Sequence, residues 1–396
     1  MSGIKYFPRD LETENKTIIL RVDLNVPIKE KEIKDFTRIS LVLPFLKELI
    51  KKKSKIILLS HLGRPKGIKD ISLTLLPIYK YLKEKLNTNM YFYAGKIDDE
   101  LKTKCSYLKN GEILLIENIR FFKEEIDNEE IFSKKIGELG DIYINDAFSC
   151  SHRKQASIHG ITKFINDTYA GPLLKEEVTA IDLVIKNKKK PVTCIIGGSK
   201  ISTKINVISS LIKNVKNIVI VGAMANNFLI YKNYEIGRSL KEENSTSIIK
   251  KILQEAEKYK CKVIIPEDCL VSKSFEGSST IKNVNSVEKD DIILDIGPQT
   301  LKNIEKIIDD SNTVMWNGPA GYFENKDFAA GTNFIAKKIS DNTSKKSLIS
   351  VLGGGDTVSA INKSGLKLSF THLSTAGGAF LEYLEGKDLP GLSVLK

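Results

Sequence analysis

The chain has 396 residues, of which 41% are hydrophobic and 28% charged, and carries a formal net charge of +12. That length implies two or three domains, and the balanced composition permits the sizeable core of a soluble globular protein. No stretch approaches a membrane span, and Met1–Tyr6 lacks the apolar core of a signal peptide. The five cysteines are scattered and form no Cys-x-x-Cys pair. They point to reduced thiols in the cytoplasm, not to a disulfide or zinc framework.

Lysine supplies most of the positive charge, in runs such as Lys51–Lys53 and Lys188–Lys190 that read as solvated faces. Arginine is scarce: Arg9, Arg21, Arg38, Arg64, Arg120, Arg153 and Arg238 are the full set. A chain that defaults to lysine keeps arginine where a planar, bidentate fork is needed.

Apolar runs alternate with helical stretches along the whole chain. The first half offers strands at Thr17–Val22, Lys55–Leu59, Glu112–Ile116 and Asp141–Ile144. The second offers Val192–Ile196, Asn217–Val221, Lys262–Ile265, Asp291–Leu294, Thr313–Met315 and Leu348–Leu352. Helical periodicity marks Leu41–Lys53, Leu75–Lys85, Ile201–Lys213 and Thr246–Lys258. The pattern predicts α/β architecture with one buried parallel sheet in each half. A boundary is expected around Asp167–Lys190, where Gly171-Pro172 precedes a bridging helix over Leu173–Val184.

Ligands of open α/β sheets bind beyond the carboxyl ends of the strands. In the first half these ends carry Asp23-Leu24-Asn25, Ser60-His61-Leu62-Gly63-Arg64, Glu117-Asn118-Ile119-Arg120 and Asn145-Asp146. Arg38 and Arg153 follow shortly after two of them. Arg21, Arg38, Arg64, Arg120, Arg153 and His61 are therefore expected on one rim, suited to a small molecule bearing phosphate and carboxylate groups. Asp23 and Asn25 either bond substrate hydroxyls or order the turn before Pro27.

The second half begins with Gly197-Gly198-Ser199-Lys200. Lys200 and Lys204 are expected to share a face of the first helical turns, where two cations suit a phosphoryl group. Gly222-Ala223 forms a small-residue turn able to admit adenine. Asn317 can donate to a phosphate, and Glu324 can take ribose hydroxyls. Finally, a strand runs into Gly353-Gly354-Gly355-Asp356-Thr357 and a helix. Glycines let backbone N–H groups approach a phosphate at a positive helix end, and Asp356 adds a carboxylate for magnesium. The same turn can equally be a strand-to-helix connection capped by Asp356 or Thr357.

The P-loop and G-x-G-x-x-G patterns are absent, as are the protein-kinase motifs. A nicotinamide-dependent dehydrogenase lacks its fingerprint here. A nucleic-acid-binding role is disfavoured because aromatics do not interleave with the basic runs.

Taken together, Arg21–Pro27, Ser60–Pro65, Glu117–Phe121, Asn145–Phe148, Gly197–Lys204, Trp316–Pro319, Gly353–Thr357 and Leu384–Gly391 resemble the phosphoglycerate kinase family along essentially the whole chain. The resemblance implies two Rossmann-like domains, each a mainly parallel sheet flanked by helices, facing across a cleft. Residues 1–170 with 380–396 would bind 3-phosphoglycerate or 1,3-bisphosphoglycerate. Residues 171–190 would form the interdomain helix and linker, and 191–379 would bind ATP or ADP with Mg2+. It further implies a glycolytic, cytoplasmic monomer that transfers a phosphoryl group directly and in line, with hinge bending.

By the same resemblance Asp23, Leu24, Asn25, Arg38, His61, Leu62, Gly63, Arg64, Arg120 and Arg153 contact the phosphoglycerate. Lys204, Asn317, Glu324, Gly353, Gly354, Gly355, Asp356 and Thr357 contact the nucleotide, with Asp356 on the metal. Arg38 and Lys200 stabilise the phosphoryl group in flight. The acceptor carboxylate is already ionised at neutral pH, so the reaction needs no general base. Ser149, Ala223 and Ala376 stand where the family frequently has glycine.

Overall fold

The computed structural model describes residues 3–186 and 189–396. Met1, Ser2, Asn187 and Lys188 lie outside the described residues, and with them parts of the N-terminal hexapeptide, the expected linker and the Lys188–Lys190 run.

Two compact units emerge, Met1–Val178 with Asp388–Lys396, and Thr179–Lys387. The division falls inside the helix Pro172–Ile185.

The first unit is built on six strands: β1 (Thr17–Arg21), β2 (Lys55–Leu59), β3 (Met90–Tyr93), β4 (Ile113–Ile116), β5 (Ile142–Asn145) and β6 (Asp167–Ala170). They lie in the order β3-β4-β2-β1-β5-β6, and every pairing is parallel. β1, β2, β4 and β5 are almost wholly buried, which is why their sequences are continuous apolar runs. The register aligns Arg21 with Leu59 on one side and Asn145 on the other. Three strand ends therefore open onto one edge. Helix Thr37–Lys51 turns Ile39, Val42, Phe45, Leu46 and Leu49 onto the sheet. Each such side chain contributes roughly 1.5–3 kcal/mol on full burial.

The second unit continues with β7 (Val192–Ile196), β8 (Asn217–Ile220), β9 (Lys262–Ile264), β10 (Asp268–Ser272), β11 (Thr280–Asn283), β12 (Ile292–Ile296), β13 (Thr313–Asn317), β14 (Ile349–Gly353) and β15 (His372–Ser374). Its main sheet has the order β9-β8-β7-β13-β14-β15, again parallel throughout. Trp316 on central β13 is fully buried. Helix Thr246–Lys258 matches its predicted span and buries Ile249, Ile252 and Ala256 along one face.

Two expectations need correction. The strand expected at Asp291–Leu294 is β12, and it belongs to a separate antiparallel sheet, β11-β10-β12, not to the parallel one. Asp268 on β10 ties that sheet to the helix Pro298–Asp309 by accepting from Gln299 N at 2.9 Å and Thr300 N at 2.8 Å. These bonds satisfy amides the helix cannot pair internally. Secondly, Asp167–Ala170 lies in the expected boundary region, yet it is β6, an edge strand of the first sheet.

Candidate functional site

At the carboxyl edge of the first sheet, neighbouring turns are bonded to one another. Ser60 Oγ accepts from Leu24 N at 2.9 Å and donates to Val22 O at 3.0 Å. Asn25 Oδ1 accepts from Gly63 N at 2.8 Å. Arg38 reaches back from its helix, donating to Asn25 O at 2.8 Å and pairing with Asp23 Oδ2 at 3.0 Å. Arg120 NH1 donates to Gly63 O at 3.1 Å, while its Nε has no partner among the described residues. Arg64 and Arg153 are exposed and make no ion pair among the described residues. Leu24 and Leu62 are buried and their backbones already bond within the site, Leu24 N to Ser60 Oγ and Leu62 O to Asn118 Nδ2, so they shape the turns beneath it.

Arg21 departs from the expected rim. Its guanidinium is fully buried, with Nε donating to Ser157 Oγ at 3.0 Å and NH1 to Val22 O. Ser157 in turn bonds both oxygens of the buried Glu125 at 2.7 Å. The cause is register: Arg21 is the last residue of central β1, so its side chain turns into the interior. It acts there on His61, whose Nδ1 lies 3.3 Å from Arg21 NH2. A guanidinium only donates, so Nδ1 must accept and the imidazole proton sits on Nε2. Burial, reinforced by Arg120, Arg21 and Arg38, holds the His61 pKa well below its ordinary value. The ring is neutral.

His152 was not foreseen. Burial first, then Arg153, pushes its pKa down to about 4. Its only sequence signal was adjacency to Arg153.

In the second unit the register sets Asn317 beside Ile196 and Leu352 beside Trp316. Gly197, Gly318 and Gly354 therefore gather at one edge. Gly318 has φ 99°, and a Cβ there would lie 2.4 Å from the Gly197 carbonyl group. Lys204 Nζ donates to Gly197 O at 2.7 Å and to Asn317 Oδ1. Asn317 Nδ2 donates to Gly353 O, and Thr357 Oγ1 joins that oxygen to Gly318 N. Burial pushes the Lys204 pKa down to about 8, against the pull of Asp356.

The expected shared helical face of Lys200 and Lys204 is corrected. The helix begins only at Ile205, with Lys204 at its N-cap and exposed Lys200 in the preceding turn. Gly198 at φ 115° and its carbonyl bond to Met224 N at 2.8 Å hold that turn open. Helix Gly355–Ser364 is preceded by Gly354 at φ 104°, without a side-chain cap. Beside these turns opens a cavity of about 280 Å³ lined by Gly222, Ala223, Leu229, Phe275, Glu324 and Asp356, among others. Its lining includes the edge-to-face pair Phe275–Tyr322 at 5.4 Å. A lining that combines small residues with apolar ones suits a flat heterocycle.

Among the described residues the carboxylate cluster with metal-ligand spacing is Glu288, Asp290 and Asp291. Lys273 and Lys282 already pair with its carboxylates. No helix among the described residues is long and apolar enough to cross a membrane.

The family model described as "Phosphoglycerate kinase" matches residues 9–387. The chain belongs to the phosphoglycerate kinase family. A phosphoglycerate kinase of Wolbachia pipientis wMel is 44% identical over 387 residues, 97% of each chain. That of Chelativorans sp. is 40% identical over the full length of both. Among solved structures, phosphoglycerate kinase from Coxiella burnetii superposes with TM-score 0.89 at 36% identity, covering 98% of this chain and 97% of that one. The Pyrococcus horikoshii phosphoglycerate kinase gives TM-score 0.83 at 28% identity, covering 98% of both. Membership of the phosphoglycerate kinase family makes this a glycolytic phosphotransferase with ATP or ADP as substrate.

Proposed function

We propose that the chain exchanges a phosphoryl group between 1,3-bisphosphoglycerate and ADP, giving 3-phosphoglycerate and ATP, through the two strand-edge sites described above. The observation that carries this reading is their complementarity: arginines with free donors in one unit, a glycine-built amide cradle beside a heterocycle-sized cavity in the other.

In the first unit Arg64, Arg120 and Arg153 take the substrate's anionic groups, and neutral His61 donates through Nε2. Asp23 accepts from the substrate hydroxyl and Asn25 Nδ2 donates to it, with Leu24, Leu62 and Gly63 shaping the floor. In the second, the N-terminus of helix Gly355–Ser364, Lys204, Asn317 and Thr357 receive phosphates, and Glu324 at the cavity rim takes the ribose. Arg38 and exposed Lys200 stabilise the transferring group.

One carboxylate beside a phosphate cradle fits a magnesium ion, which takes few protein ligands and completes its shell with phosphate oxygens and water. Asp356 lines the cavity and would hold it. When bound, the ion supplies charge neutralisation on the nucleotide phosphates. Because each ligand has its own unit, transfer requires a closing motion that brings the reacting atoms into line and excludes water. One chain holds both sites, which supports action as a monomer. The free cysteines support a cytoplasmic setting.

The test is ATP-dependent phosphorylation of 3-phosphoglycerate by purified protein, with and without magnesium, alongside Arg38→Ala. Magnesium-dependent turnover that the variant loses is expected. Folded wild-type protein without turnover would overturn the reading.

A further inference from the structure

Ser149 lies half-buried in the short turn Phe148–Cys150 that follows β5. Its hydroxyl donates to Asp23 Oδ2, a residue 126 positions earlier. The alternative neighbour, Cys150 Sγ at 3.7 Å, is a far weaker acceptor. Asp23 Oδ2 also carries the Arg38 guanidinium at 3.0 Å, and Asp23 Oδ1 accepts from Asn25 N at 2.9 Å. An ionised carboxylate has about four acceptor directions. Three donors occupy three of them, and the one left belongs to Oδ1.

We propose that Ser149 is a positioning residue that makes Asp23 a reader of the phosphoglycerate hydroxyl. By holding Oδ2 it fixes the carboxylate plane, which aims the remaining direction of Oδ1 at the substrate. It also lets Arg38 work elsewhere. Arg38 gives one nitrogen, Nη1, to both Asp23 Oδ2 and Asn25 O, so turning that nitrogen to the transferring phosphoryl group gives up the bond to Asp23. When it leaves, a carboxylate whose side chain is only 12% exposed would otherwise lose every donor on that oxygen. The carboxylate would then rotate toward solvent or draw Arg38 back. With Ser149 in place the reader stays aimed while the guanidinium moves.

This inference rests on the proposed assignment of Asp23 to the substrate hydroxyl, so its test separates the two. The readout is the ratio of kcat/KM for 3-phosphoglycerate to kcat/KM for 3-phosphooxypropionate, which lacks the 2-hydroxyl. Ser149→Ala is expected to lower this ratio about fivefold or more, the size of coupling usual between residues of one hydrogen-bond network. The change should appear as a raised KM for 3-phosphoglycerate, with the KM for ATP unaltered. Ser149→Thr keeps the hydroxyl and should keep the ratio. An unchanged ratio in Ser149→Ala, or a ratio as low in Ser149→Thr as in Ser149→Ala, overturns the role of Ser149. If Asp23→Asn also leaves the ratio unchanged, the assignment of Asp23 itself fails. If Asp23→Asn collapses the ratio while Ser149→Ala does not, only the inference about Ser149 fails.

Discussion

Asn317 Nδ2 donates to the carbonyl of Gly353 at 2.6 Å, stitching the end of β13 to the glycine turn after β14. The same side chain receives the Lys204 ammonium on Oδ1. Asn317→Ala removes both bonds inside a buried site. It should destabilise the second unit by roughly 1.5–3 kcal/mol, the range for hydrogen bonds to charged groups. ADP affinity should fall as well. Urea midpoints and calorimetric titration measure the two effects. Lost affinity at unchanged stability would restrict Asn317 to a ligand contact.

Lys204 gives the nucleotide site a pH dependence. Burial brings its pKa down to about 8. A phosphate beside it favours the charged form, so binding takes up a proton. Affinity for ADP should therefore be flat near pH 7 and decline as pH rises through about 8. Lys204→Gln should bind more weakly at pH 7 and show no such decline. A wild-type affinity constant from pH 7 to 9.5 would contradict it.

Lys200→Ala should leave the fold and the KM for both substrates nearly unchanged, since the side chain is exposed and makes no ion pair among the described residues. Its effect belongs in kcat, lowered on the order of a hundredfold to a thousandfold, as for loss of one well-placed donor to a developing charge. Steady-state kinetics decide it, and normal turnover removes Lys200 from the mechanism.

Asp146 is a buried carboxyl whose Oδ1 accepts from Leu174 N at 3.0 Å while Oδ2 has no partner among the described residues. Burial raises its pKa to about 7. The folded state thus holds a proton that the unfolded state has released between pH 4 and 7. This contribution to stability is full below about pH 4 and is lost as pH rises through 7. Asp146→Asn should gain in urea midpoint over wild type as pH rises from 4 to 7, so that its advantage is larger at pH 8 than at pH 4. Equal differences at both values would refute the assignment.

Two glycines of the nucleotide site should respond oppositely to a methyl group. At Gly318 the positive φ and the Gly197 backbone leave no room, and Gly318→Ala should cost at least about 2 kcal/mol of stability. At Gly355 nothing lies within 4 Å, so Gly355→Ala should fold at least as well. Its methyl would instead crowd a phosphate approaching the helix. Thermal unfolding with and without ADP separates the two behaviours.

The central strands were legible because burial on both faces demands uninterrupted apolar residues, as in Lys55–Leu59 and Val192–Ile196. Edges were not. β3, β6 and β15 end their sheets, tolerate exposed or polar positions, and so escape a search for apolar runs. β11 was missed for the same reason, since it reads Thr-Ile-Lys-Asn and is mostly exposed; β10 is buried, but its Asp268 and Ser272 ends shorten the apolar run. In the candidate site, position after a strand pointed to Asp23, Asn25, His61 and Gly63, and the structure bonds Gly63 N to Asn25 Oδ1. Position could not tell Arg21, the last residue inside a strand, from arginines beyond one. Nor could it find the Ser149–Asp23 bond, which joins residues far apart in sequence.

The residues Asp388–Lys396 group with the first unit, where Gly391 N donates to Ser151 O at 2.8 Å and Lys5 N donates to Leu395 O at 2.7 Å. Asn145 and Gly391, bonded through Nδ2 and the carbonyl, are 246 positions apart. On the ribosome, at about 5–20 residues per second, that separation is a wait of tens of seconds. During it the nascent first unit presents Ser151 and Asn145 without their partners, while the whole second unit is being synthesised. The order of translation therefore runs against the order of completion: the unit begun first is finished last, and it is the one exposed longest to chaperones and proteases.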